Sequence, residues 1–448
     1  MNKPPPVGRL RQPARAARPT TPAEAAPSHF RASDLRAAAQ LATQATLGVV
    51  NITEGVHQSV LRTLGASNRR GPERTTGITG MVYRGVRGVT GLVGRGLDAA
   101  LAGLLPSPAP GSPQHPDSPE REQALAVLNG VLGDRLAAAH NPLTLDMAFR
   151  FSASAWVPGQ PLPAGTHISG HVLLTVHGLC MNDQQWLWQG HDHGAWLAEA
   201  LGCTRLNLRY NSGLHISDNG QQLSELLERL VATWPVALTR LTLLTHSMGG
   251  LVARSAQAAA VRSGHTWPQR LKDLVFVGTP HHGSPLERAG HWVDTLLAAT
   301  PFTAPFVRLG QLRSVGIIDL RHGHVLPQDW SGQASQPRAL GRHADTRAPL
   351  PLPEGVNCFA VAATLAGQRS MLADRLVGDG LVPLHSALGQ HDNPRKRLRF
   401  APDHRRVVYR TGHLELLSSP AVARQLLAWL APAATTPTPT PTSAPGST

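Results

Sequence analysis

Leu241-Thr242-Leu243-Leu244-Thr245-His246-Ser247-Met248-Gly249-Gly250-Leu251-Val252 is the stretch on which the fold turns. Leu241 to Leu244 is a short apolar run of the kind that forms a buried parallel strand. The run stops at Ser247, and two glycines follow. From Leu251 to Val261 the chain is alanine-rich and free of Pro and Gly, which predicts a helix. A serine between a strand and a helix, with glycine two residues on, is the sequence form of a nucleophile elbow. The tight turn demands small neighbours and presents the hydroxyl at the sheet edge, and the helix N-terminus behind it offers free N–H groups to developing negative charge. The position that is usually the first glycine of the pattern is Thr245, so strand and helix have to meet around a β-branched side chain.

The 448 residues suffice for one large α/β domain and an additional module, and 41% hydrophobic content supports a substantial core. The formal net charge of +14 invites a nucleic-acid reading. Yet only Lys3, Lys272 and Lys396 are lysines, and the arginines are spread along the whole chain as on a solvated surface. No nucleic-acid module signature is present, so no nucleic-acid partner is expected. Cys180, Cys203 and Cys358 fall in or beside apolar runs without metal spacing and read as buried thiols. The opening MNKPPPVGRLRQPARAARP lacks an apolar core, and no run approaches the ~18 apolar residues of a membrane span. A soluble cytoplasmic protein is expected on these grounds.

Residues 1–31, rich in Pro, Ala and Arg, are expected to be disordered, as is the Thr/Pro tail 432–448. Residues 32–105 form an N-terminal helical module: an alanine-rich helix, then an apolar stretch with Gly85, Gly88, Gly91 and Gly94 at every third position. Such a stretch, with Arg84, Arg87 and Arg95, suits peripheral contact with an anionic lipid surface; a helical hairpin packed on itself is the competing reading, favoured by the interspersed charges. A proline-rich linker, 106–119, leads to a catalytic domain over 120–431. There a helix at Glu120 to Ala139 is followed by one strand over Leu145 to Val157, with Met147, Phe149 and Phe151 on one side. Strands at 172–176, 204–210, 241–244, 271–277, 356–362 and 406–410 then alternate with helices, the pattern of a mostly parallel sheet flanked by helices. Between 284 and 340 the pattern is interrupted by Leu286, Ala289, Val293, Leu296 and Leu297 at helical spacing, with Trp292, Phe302 and Phe306. A cap or lid with an apolar acyl pocket is expected there.

Serine is a poor nucleophile without a base, and the base needs a carboxylate to orient it. Asp379, in the glycine-flanked turn after one strand, and His413, just after the last strand, follow Ser247 in the order serine, acid, histidine. Asp374 and His404 are the rivals, and neither lies so directly after a strand. The oxyanion donors expected are the backbone N–H groups of Met248 and of Leu179 in the His177-Gly178-Leu179 turn. His177 is read as a brace for that turn. His191-Asp192-His193 and His322-Gly323-His324 each offer only two ligands at readable spacing, so no metal is expected.

Through Thr245 to Arg254 (THSMGGLVAR), Gly278 to Ser284 (GTPHHGS), Gly378 to Pro383 (GDGLVP) and the Gly412-His413 turn, residues 172–430 resemble bacterial α/β-hydrolases of the lipase/esterase group, GPI inositol-deacylase-like. The resemblance implies the α/β-hydrolase fold and carboxylic-ester hydrolysis through an acyl-serine, on an ester or lipid substrate and with no cofactor. Thioester, amide or polyester cleavage on the same site is the nearest alternative. A non-enzymatic interaction protein that works through its N-terminal helices is the alternative of another class.

Overall fold

The computed structural model describes residues 32–63, 75, 77–104, 118–151, 154–284, 313–331, 345–367 and 378–431. In chain order it begins with α1 (Ala32–Thr63), α2 (Gly77–Leu104) and α3 (Pro119–Ala138). Then come β1 (Ala148–Phe151), β2 (Ser154–Trp156), β3 (His171–Val176), the short pair β4 (Leu187–Trp188) and β5 (His191–Asp192), and α4 (His193–Leu201). The central run is β6 (Thr204–Arg209), α5 (Ile216–Thr233), β7 (Arg240–His246), α6 (Met248–Ser263) and β8 (Leu271–Val277). The rest is α7 (Val315–His322), α8 (Pro327–Ser331), β9 (Asn357–Thr364), α9 (Leu384–Ala387), β10 (Arg405–Tyr409) and α10 (Pro420–Leu430).

One eight-stranded sheet has the order β10-β9-β8-β7-β3-β6-β1-β2. From β6 to β10 the neighbours run parallel, and β1 and β2 add an antiparallel edge. The chain moves outward from β3 first to one side (β6) and then to the other (β7). The crevice at their carboxyl ends is therefore the topological switch point, where open α/β sheets place their sites. Period-two alternation feeds two apolar layers. Val172, Leu174, Leu241 and Leu243 pack with Leu227 of α5 and Leu251 of α6. Leu173, Leu244, Val275 and Val277 pack on the opposite face with Leu197 of α4 and Leu426 of α10. Both layers are buried, which explains why the strands read as unbroken apolar runs.

The single strand expected over Leu145 to Val157 is instead a hairpin, with Phe149 opposite Trp156 and Phe151 opposite Ser154. Its two halves have the same period, so a hairpin and one long strand leave the same pattern. The reversal is set by packing: the Phe149 and Trp156 rings stack with centroids 6.3 Å apart, and Trp156 meets Trp234 edge-on at 6.0 Å. Beneath this edge Arg150 and Arg209 are buried with Glu122 and Asp183; Arg209 Nε donates to Asp183 at 2.5 Å and Arg209 also pairs with Glu122.

The N-terminal helices are tied to the sheet domain at one end. Arg121 of α3 donates to Asp34 at 2.7 Å, Asn141 donates to the Ala37 carbonyl, and Leu41 packs on the main core. Residues 1–31 and 432–448, most of the expected linker, and Leu286 through Phe306 of the expected cap lie outside the described residues.

Candidate active site

The elbow at the end of β7 has unusual backbone geometry. Ser247 has φ 55° and ψ −124°, a positive φ for a residue with a Cβ, and α6 starts at Met248. Such a conformation costs about 1–3 kcal/mol and survives only where the surroundings over-determine it. The surroundings here are close. A Cβ on Gly249 would lie 2.5 Å from the Val176 carbonyl oxygen and 2.6 Å from that of His177, so only glycine lets α6 press against the turn after β3. Thr245 is accommodated because its hydroxyl donates to the Val275 carbonyl of β8 at 2.8 Å. Ser247 itself is fully buried, not at an open edge as expected, and its Oγ makes no hydrogen bond. The Gly178 backbone lies against its Cβ.

Asp379 and His413 are brought together from the ends of neighbouring strands. Gly378 (φ 51°), whose carbonyl accepts from the Leu365 N–H just beyond β9 at 2.8 Å, opens the turn that carries Asp379, and a Cβ there would fall 2.0 Å from the Val382 carbonyl oxygen. Asp379 Oδ1 accepts the Leu381 and Val382 N–H groups at 3.0 and 2.7 Å, which leaves Oδ2 pointing at His413. His413 Nδ1 lies 2.7 Å from that oxygen, and the His413 N–H donates to the Asp379 carbonyl at 3.1 Å. Both side chains are buried. His413 also packs against Gly278 after β8, and its ring lies 4.7 Å from that of His246 beside Ser247. The serine, the aspartate and the histidine thus converge on the carboxyl end of β7, β8 and β9, although Ser247 and His413 are not hydrogen-bonded to each other. Such bonds are often long in an unliganded site and tighten when a ligand binds.

The turn after β3 faces the serine from the other side. Among the described residues no turn or side-chain hydrogen bond takes up the Leu179 N–H, and Met248 opens α6 with its N–H likewise available. The turn is rigid. His177 is fully buried, bonds through Nδ1 to the Gly178 carbonyl at 2.9 Å and stacks on Tyr210 at 4.3 Å, while the Tyr210 hydroxyl donates to the His177 carbonyl. Burial lowers His177 to about 4, so it stays neutral. Cys180, at φ 57°, turns the chain away, and its N–H donates to Ser212. α3 leans directly on this turn through Gly130. That support was invisible in sequence, where α3 reads only as the first helix of the domain.

The remaining sequence candidates have other occupations. His191 Nε2 bonds to His193 Nδ1 at 2.9 Å, His193 Nε2 bonds to the Leu416 carbonyl, and Asp192 caps α4 and pairs with Arg205. His324 pairs with Asp319 at 3.2 Å and stacks on His322. His404 precedes β10, at the end of the sheet away from the serine, and packs on Phe359. Asp374 lies outside the described residues. Among those residues no group of three or more His, Cys, Asp or Glu is arranged to hold a metal. A cavity is lined by Arg254, seven residues along α6 from Ser247, together with His281, His282 and Asp329. Burial there lowers the Arg254 guanidinium to about 10.

The family profile described as PGAP1-like alpha/beta domain matches residues 208–348. Bacillus licheniformis lipase BlEst2 in its mature form is similar at 18% identity and a TM-score of 0.36, over 61% of this chain and 96% of that one. The type II thioesterase YbtT of the yersiniabactin pathway is similar at 14% identity and 0.34, over 61% and 96%. Legionella pneumophila phospholipase PlaB follows at 14% and 0.31, over 48% and 45%. No curated protein matches in sequence. The chain has an α/β-hydrolase fold by its own strand order and elbow, and residues 208–348 of it match the PGAP1-like alpha/beta domain.

Proposed function

We propose that the chain is a serine hydrolase that cleaves carboxylic esters through an acyl-serine, with Ser247, His413 and Asp379 as its triad. The observation that carries the reading is the strained Ser247 turn facing a buried His413–Asp379 pair supplied by neighbouring strand ends. Ser247 Oγ attacks the ester carbonyl carbon while its proton passes to His413 Nε2. Asp379 holds the imidazole with Nδ1–H toward itself, the tautomer that leaves Nε2 able to accept, and it stabilises the imidazolium that forms. The oxygen that gains charge is met by the Leu179 and Met248 N–H groups, fixed dipoles that need no reorganisation. Collapse expels the alcohol, which takes the proton from His413. A water then repeats the sequence on the acyl-serine and releases the acid. Met181, whose sulfur lies against Gly178, and Trp186, whose ring meets that of His246 edge-on at 6.4 Å, set apolar side chains beside the serine, which supports apolar acyl groups as substrates.

The test is turnover on a panel of p-nitrophenyl esters of increasing acyl length, with an acyl thioester beside them, for the wild type and Ser247→Ala. The wild type is expected to turn over esters, and Ser247→Ala to lose at least ~10⁴-fold in kcat. Ester turnover that survives the substitution contradicts the reading, and turnover of the thioester alone moves it to a thioesterase.

A further inference from the structure

α2 is turned inside out. Its polar side faces α1: Arg87 pairs with the buried Glu54, Arg36 and Gln40 donate to Asp98 at 2.7 and 2.6 Å, and Thr43 sits against Gly94. Its apolar side faces outward. Met81, Val82, Val86, Val89, Leu92 and Val93 are each between 43% and 67% exposed. At 3.6 residues per turn these positions, with Gly85, Gly88, Gly96 and Leu97 between them, cover roughly half of the helix circumference without one charge. Arg84 and Arg95 are exposed along one edge of this arc, and the helix's one acidic residue, Asp98, is turned inward onto Arg36. A helix packed in water buries its apolar face and shows its ion pairs, and α2 does the opposite.

We infer that the outer face of α2 is a docking surface for an anionic lipid bilayer, in which the helix lies parallel to the membrane plane. Three features select a bilayer as the occupant. The arc is far wider than the ~100° stripe that one partner helix covers, and a planar medium covers it all. The cationic edge complements anionic head groups, with no acidic side chain to oppose them. No described helix is long and apolar enough to cross a membrane, so immersion is in the plane. Arg87 is engaged by Glu54, so the contact is chiefly apolar insertion with Arg84 and Arg95 at its edge. The inference is independent of the reaction at Ser247.

All three cysteines are buried, so Val89→Cys places a single accessible thiol on the arc for an environment-sensitive nitrobenzoxadiazole label, with Val261→Cys on the exposed face of α6 as control. The full chain is mixed with vesicles of phosphatidylcholine and phosphatidylglycerol, and co-flotation and label emission are read. The expected result is co-flotation with a blue shift at position 89 and none at 261. Substituting Val89→Glu with Leu92→Glu should weaken vesicle binding ~10-fold or more while hydrolysis of a soluble short-chain ester is unchanged. Binding should weaken but persist at ~0.5 M salt, because the apolar term is not screened. The inference is overturned if the wild type stays out of the vesicle fraction at low salt, or if position 89 is already blue-shifted without lipid, which would mean that a segment of this chain covers the arc. A dimer in lipid-free buffer that Val89→Glu with Leu92→Glu dissociates, without vesicle binding, would also overturn it, in favour of a second copy.

Discussion

His413 Nδ1 lies 2.7 Å from Asp379 Oδ2, while the other oxygen of the same carboxylate is held by the Leu381 and Val382 N–H groups. The carboxylate is thus pinned by its own turn before it meets the imidazole. Asp379→Asn should keep its carbonyl oxygen on those two N–H groups and present its NH₂ to His413. The imidazole then has to accept at Nδ1 and carry its proton on Nε2, where it cannot take one from Ser247. A fall in kcat of ~10⁴, with little change in KM, is expected from steady-state ester kinetics. Asp374→Asn should have a small effect, and the reverse ranking would move the acid to Asp374.

Gly249→Ala should be more damaging than its size suggests. The added methyl meets the Val176 and His177 carbonyl oxygens, and relief requires α6 to move from the turn that carries Leu179. Both thermal stability and kcat should fall. Thr245→Val, which removes only the hydroxyl bond to Val275, should cost about 1 kcal/mol in chemical denaturation and leave turnover within a fewfold.

Asp183→Ala leaves Arg209 and Arg150 buried with a single acid, Glu122. Breaking a buried pair in this way costs about 3–5 kcal/mol. A loss of that size should be seen in urea denaturation, and a variant as stable as the wild type would show that water reaches the cluster.

Stability should depend on pH in a defined window. Burial lowers His171, His177 and His193 from an ordinary value near 6.5 to about 4, and pushes His246 and His281 down as well. Between those limits the unfolded chain binds protons that the folded chain refuses. The contribution is therefore fully present above about 6.5 and is lost as the pH falls toward about 4. The Tm should drop steadily between pH 7 and pH 5, and a flat profile there would show these histidines to be protonated in the folded state.

Much of this fold is legible in local sequence because its cues are local. Leu241 to Leu244 and the glycines after Ser247 announce strand, turn and helix within a dozen residues, and glycines mark the Gly378-Asp379-Gly380 and Gly412-His413 turns. What escaped needs long-range pairing. Nothing near Arg209 shows that it shares a buried site with Glu122, and the hairpin of β1 and β2 has the same period as one strand. The amphipathic pattern of α2 is plain, but its direction is not. Periodicity says that one face is apolar; the Glu54–Arg87 and Asp98–Arg36 pairs decide that this face points outward. The burial of Ser247 likewise depends on Gly178, contributed by the turn after β3, far away in the chain.

Ser247→Ala should leave the Tm unchanged or slightly higher, since the hydroxyl that it removes is buried without a hydrogen bond. Ser247→Gly should raise it further by removing the Cβ from a positive-φ position. Equal losses of stability and activity in both variants would mark Ser247 as structural.

Covalent capture of the nucleophile tests the central claim most directly. The full-length protein is treated with a fluorophosphonate ester, its intact mass is measured, and the modified residue is mapped by peptide sequencing. The account predicts one adduct per chain, on Ser247, formed quickly in the wild type, slowed strongly by Asp379→Asn and absent from Ser247→Ala. An adduct on another residue, or none on a folded wild-type protein, would contradict it.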